Sequence, residues 1–185
     1  MKTINHILSF FLLTGLVLFP ILSLAQYYNN KEIYEVIQQE LRSVKYNWVK
    51  GVIEEPYNEF TLYPPPPPGY KGFDSTMVNY LIVHANLRHS EVEHFNKQIA
   101  DSKTLRWDSN LLKIKTIKAS TVDSLLNYPY SKIPYVRISI PLFSVNKMKM
   151  ILIFDFPNRS EKHYRVLIYR RENKSWLLER SIVEK

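Results

Sequence analysis

An α+β fold is what this chain predicts: two or three helices packed on an antiparallel sheet that ends in a four-strand meander. Three observations lead there. The C-terminal quarter divides into four runs rich in β-branched and aromatic residues, joined by short polar connections. An apolar stripe at steps of four and three runs from Ile33 to Trp48. A Ser-x-x-Glu box at Ser90–Glu93 marks the start of a further helix.

The first residues read as an export signal rather than as part of that fold. Lys2 gives a positive start, and Ile7 to Leu24 is an almost wholly apolar run interrupted by Pro20. Ser23-Leu24-Ala25 sets small residues at the −3 and −1 positions before Gln26, as a signal peptidase requires. The run is also long enough to cross a bilayer, but Pro20 and the cleavage motif favour removal. Residues 1–25 are therefore expected to be a signal peptide and 26–185 a single globular domain. No transmembrane segment is expected after cleavage, and the expected location is periplasmic or secreted. With no cysteine in 185 residues, disulfides, thiolate catalysis and lipid attachment at a first mature Cys are excluded. Packing must hold the fold, and 9 Phe, 13 Tyr and 3 Trp supply the material.

Along the mature chain, Asn30 to Lys50 predicts an amphipathic helix, with Ile33, Ile37, Leu41, Val44 and Trp48 on one stripe. Asn30 is placed to cap it and Gly51 to end it. The five prolines Pro64 to Pro68 impose a polyproline II stretch of about 15 Å at ~3.1 Å per residue. With Tyr63 and Tyr70 around it, the segment 63–70 reads as a stiff connector; as a ligand for an aromatic groove it fits poorly with export. Ser75 to Leu87 fits neither the helical nor the strand period. Ser90 and Glu93 should cap a helix running to about Ala100, with Val92, Phe95 and Ile99 inward. A strand is expected within Arg106 to Ile117, then a short helix over Ser120 to Asn127. The meander follows as Tyr135–Ser144, Lys147–Phe156, Tyr164–Arg171 and Ser175–Val183, with a tight turn at Arg171-Glu172-Asn173-Lys174.

Charge is unevenly placed. The whole chain carries +8. From Gln26 to Val136 there are 13 basic and 12 acidic residues, against 11 basic and 5 acidic from Arg137 onward. A concentrated positive field draws anions. Lys147 and Lys149 share a face of one strand, and Arg165 and Arg171 share a face of the next. If the register joins them, they form a basic patch with Tyr169, a combination suited to an anionic glycan. Nucleic acid is disfavoured by export and by the absence of a recognisable binding motif.

Catalytic patterns are missing. The mature chain holds three glycines, Gly51, Gly69 and Gly72, too few for a phosphate-cradling loop. There is no G-x-S-x-G elbow, H-E-x-x-H or EF-hand loop. His84, His89 and His94, near Glu91 and Glu93, form the one cluster to weigh for zinc. A spacing of five turns successive residues by about 140° on a helix, so these imidazoles diverge. Glu54, Glu55 and Glu59 precede the proline segment, but adjacent carboxylates on extended chain point apart and do not form a glycosidase pair. No metal and no cofactor are expected.

Ile140-Pro141-Leu142-Phe143-Ser144, then Tyr169 and Lys174-Ser175-Trp176-Leu177-Leu178, resembles the tail of small exported proteins of Bacteroidota, in which a P-x-F-S strand precedes a hairpin ending in Trp. Glu91 to Trp107, with Gln98 and Arg106-Trp107-Asp108, is similar to their middle region. These are packing residues covering about half the mature chain, and cysteines that relatives carry near the third strand are absent here. The resemblance implies the location and the fold class and carries no activity. The leading functional expectation is a noncatalytic exported binding module for a protein or anionic glycan of the cell envelope. The alternatives are a small hydrolase acting on an envelope polymer, or a structural component of a larger assembly, which an exposed apolar edge strand would mark.

Overall fold

The strand β5 (Lys149–Phe156) organises the molecule, because five consecutive residues, Met150 to Phe154, are buried on alternating sides. A continuous apolar run of this kind can be accommodated only where both sheet faces are covered. The structure is a computed structural model describing residues 31–43, 48–56, 77–102, 105–126, 134–156 and 163–184. The expected signal peptide and the proline connector 63–70 lie outside the described residues, as does Glu59.

The described elements, in chain order, are α1 (Lys31–Leu41), β1 (Gly51–Ile53), α2 (Met77–His84), α3 (Glu91–Asp101), α4 (Ser109–Leu112) and β2 (Thr116–Ile117). They continue with α5 (Ala119–Leu126), β3 (Tyr135–Ile138), β4 (Leu142–Phe143), β5, β6 (His163–Glu172) and β7 (Ser175–Glu184). The α+β class agrees with the sequence. The sheet is larger than expected, with seven strands in the order β2-β1-β3-β5-β6-β7 and β4 also paired to β5. It is also mixed: β1 runs parallel to both β2 and β3, while the remaining pairs are antiparallel.

Helices cover both faces. On one, α1 and α4 bring Ile33, Tyr34, Ile37 and Leu112 onto Val136, Ile138, Met150, Leu152, Phe154 and Leu167. On the other, α2 and α3 bring Leu81, Ile82, Ala85 and Phe95 onto Leu142, Ile151, Ile153, Val166 and Ile168. Each fully buried aliphatic or aromatic side chain contributes roughly 1.5–3 kcal/mol. Both faces of the sheet are therefore apolar and covered.

Local departures have physical causes. The α1 helix ends at Leu41, well before Lys50, and the Lys50 amide already donates to the Pro134 carbonyl. Trp48 is exposed and its ring packs at a tilt against Phe156 instead of extending the α1 stripe. Gly51 begins a strand rather than ending a helix. A Cβ there would lie 2.7 Å from the Lys115 carbonyl oxygen and 3.0 Å from the Tyr135 ring, so only glycine lets β1 enter between β2 and β3. Ser90 makes no side-chain cap, and the expected capping box does not form. Within Arg106 to Ile117, the Asp108 side chain accepts from the Asn110 amide and starts α4, leaving only Thr116–Ile117 as strand. The first meander strand is broken at Pro141, which lacks an N–H for the ladder, into β3 and β4.

Candidate functional site

The β4–β5 turn and the β6–β7 turn meet at one end of the sheet. Lys149 lies opposite Arg170, and the Arg171 amide donates to the Met148 carbonyl at 2.9 Å. Arg171 in turn lies opposite Trp176. The β6–β7 turn is tight because Asn173 and Lys174 both take positive φ, the backbone that fits a two-residue hairpin to twisted strands. Lys147 also sits at positive φ, in the neighbouring turn.

Residues opposed across an antiparallel pair share a face. The register therefore puts Lys149 and Arg170 on the α2–α3 face, and Arg165, Tyr169 and Arg171 on the α1 face. The five residues singled out in the sequence do not form one patch. Lys149 Nζ bonds both carboxylate oxygens of Glu179, at 2.8 and 2.5 Å. Arg171 reaches Glu32 of α1 at 3.3 Å and lies over the Trp176 ring, 5.4 Å from its centroid. Arg165 Nε donates to Ser181 Oγ at 2.5 Å, roughly 20 Å from Arg171 along a strand rising ~3.3 Å per residue. Tyr169 is a core residue, 3% exposed, and its hydroxyl donates to Glu40 at 2.9 Å. Lys147, Lys149 and Arg171 all lie at the turn end, with Lys149 and Arg171 on opposite faces of the sheet.

Apolar side chains are exposed at that same end. Val145 and Met148 flank Lys147, and Leu177 lies opposite Arg170. Trp176 packs against Phe143, and its buried indole N–H has no acceptor among the described residues. Arg170 pairs with Glu172 beside Lys174. The end thus combines five cations, at 147, 149, 170, 171 and 174, with three carboxylates, at 32, 172 and 179. The sequence does not single out Arg170, Lys174 and the exposed Met148 together, because only the paired turns bring them to the same end of the sheet.

Of the other residues weighed in the sequence, Glu55 and His84 have structural partners. Glu55 Oε2 accepts from the Ala119 amide at 2.8 Å, capping α5, and its other oxygen lies 3.8 Å from Arg106. The His84 ring packs at a tilt against Tyr80, while its carbonyl accepts from Arg180. Among the described residues no three His, Asp or Glu side chains are grouped to hold a metal ion. A shallow groove beside Glu35, Gln38, Gln39 and Arg42 lies along the end of α1. Burial raises the Tyr34 hydroxyl above its ordinary pKa; the Asp108 amide, donating to it, works in the opposite direction.

No protein family, curated protein or solved structure matches this chain. No helix among the described residues is long and apolar enough to cross a membrane.

Proposed function

We propose that this chain is an exported, noncatalytic binding module for an anionic protein or glycan of the cell envelope, engaged by the turn end of the sheet. The observation that carries this reading is the meeting of the two turns, which gathers the cations Lys147, Arg170 and Lys174 and the exposed apolar residues Val145, Met148 and Leu177 at one end of the sheet. Cations interleaved with apolar side chains suit an acidic partner that also offers apolar surface. The export signal expected from the apolar run Ile7–Leu24 and the Ser23-Leu24-Ala25 motif supports the location. A hydrolase would need two carboxyl groups converging on one cleft, and Glu55 is instead engaged in capping α5.

The test is binding of the chain to isolated envelope fractions and to a defined acidic polysaccharide, at low and high salt. Retention at low salt, lost at high salt and lost in the Lys147→Glu/Lys174→Glu variant, is expected, because screening weakens exposed charge contacts. Retention that ignores both salt and the variant overturns the reading.

A further inference from the structure

β7 ends the strand order, and among the described residues its only strand partner is β6. Ten residues long, it carries exposed Leu177 and Leu178, each 46% accessible, and Val183 at 61%. An edge strand that exposes apolar side chains can template another strand through its outward N–H and C=O groups.

The sequence of β7 is complementary to its own reverse. Set antiparallel to itself about the Glu179–Arg180 bond, Trp176 faces Val183, Leu177 faces Ile182, Leu178 faces Ser181, and Glu179 faces Arg180. In a regular strand this register is forbidden. A two-fold axis normal to the sheet preserves faces, and opposed residues must share a face, so only a register placing a residue opposite itself is allowed.

The bulge in β7 removes that obstacle. Pairing with β6 passes from Tyr169↔Leu178 to Ile168↔Arg180, which leaves Glu179 as the extra residue. Facing parity therefore shifts by one across the bulge. Trp176 and Leu178 share the face of Arg171 and Tyr169, and Ser181 and Val183 share that same face through Leu167 and Arg165. Leu177 and Ile182 lie together on the opposite face through Arg170 and Val166. Lys149 holds Glu179 on this second face, and Arg180 reaches the His84 carbonyl of α2 there at 3.0 Å. Every opposed pair of the self-register then agrees in face, and the two charges sit where a second copy would meet each with its opposite.

We propose that two copies of the chain pair through β7, antiparallel about a two-fold axis at Glu179–Arg180, to give one sheet running through both. The dimer does not depend on the envelope reading, since the chain could bind an anionic partner as a monomer.

The experiment is sedimentation equilibrium of the full chain from low to several hundred micromolar, with Glu179→Arg, Arg180→Glu and the combined exchange. Wild type should reach twice the mass of one chain. Each single reversal acts twice in the symmetric pair and should weaken dimerisation at least about tenfold, while the exchange should restore it. Amide exchange gives an independent reading: β7 amides of the wild type should slow as concentration rises. A monomer throughout, a dimer indifferent to both single reversals, or β7 amides unchanged by concentration would each overturn the proposal.

Discussion

Gln98 and Phe143 exchange two hydrogen bonds: Gln98 Nε2 donates to the Phe143 carbonyl at 2.8 Å, and the Phe143 amide donates to Gln98 Oε1 at 2.9 Å. A helix side chain thus supplies the pairing that a neighbouring strand would give β4. Two turns earlier on α3, Glu91 Oε2 accepts from the Val145 amide at 2.8 Å. Seven residues span about 10 Å on a helix, enough to lay both side chains along this stretch of backbone. The edge of β4 is closed by α3, whereas β7 has no such cover among the described residues.

Replacing Gln98 with Met should therefore cost about 2–4 kcal/mol, since one buried donor and one buried acceptor lose their partners together. Gln98→Glu can restore both bonds only while protonated. Its deficit should be smaller near about pH 4, where an ordinary carboxyl is partly neutral, than near about pH 7. Urea unfolding of the three proteins at both pH values measures this. Equal deficits for Met and Glu at the lower pH would exclude the two-bond account.

A second buried side chain repairs the break at Pro141. Ser139 donates its amide to the Ile153 carbonyl at 2.8 Å, and its hydroxyl accepts the Ile153 amide at 2.9 Å while donating to the Ile140 carbonyl. One serine serves as both halves of a strand pair where the ladder is interrupted. Ser139→Ala should leave the Ile153 amide without an acceptor in the core and cost about 1–3 kcal/mol. Amide exchange at Ile153 should accelerate with it, and an unchanged rate would show that the hydroxyl is dispensable.

The parts of this fold that were legible in the sequence are those with a local period. β5, β6 and β7 appear as alternating or continuous apolar runs with a recognisable turn at Asn173-Lys174, so they could be placed almost residue by residue. β1 could not be, because Gly51-Val52-Ile53 is three buried residues paired to strands more than sixty positions away. No local period marks so short a strand. Its glycine, read as a helix end, is required by the Lys115 carbonyl and Tyr135 ring, which only the folded chain brings together. The basic residues show the same limit. Their faces follow from a register that spacing does not fix, and the register sends Lys149 and Arg171 to opposite sides of the sheet while burying Tyr169. In the sequence Gln98 stands out only within the stretch Glu91 to Trp107 that resembles other proteins, with no role attached, because its two bonds exist only once β4 lies beside α3.

Alkaline pH offers the last prediction, through Tyr34. Its ring packs edge-on against Trp107 with centroids 5.6 Å apart, while the Trp107 indole donates to the Ile138 carbonyl at 3.2 Å. The hydroxyl end is 3.4 Å from the Asp108 amide, and burial raises its pKa above the ordinary tyrosine value of 10.0. Between that value and the raised one, the unfolded chain releases the Tyr34 proton while the folded chain retains it. The unfolded state then binds fewer protons, so stability falls as pH rises through this window; below it Tyr34 adds no pH dependence. Tyr34→Phe has no proton to lose and should show a shallower alkaline decline than wild type. At neutral pH it should cost no more than about 1 kcal/mol, because the bond it deletes is long and neutral. Denaturant melts of both proteins from neutral pH to above pH 10 compare the slopes directly, and parallel alkaline limbs would remove Tyr34 as a contributor.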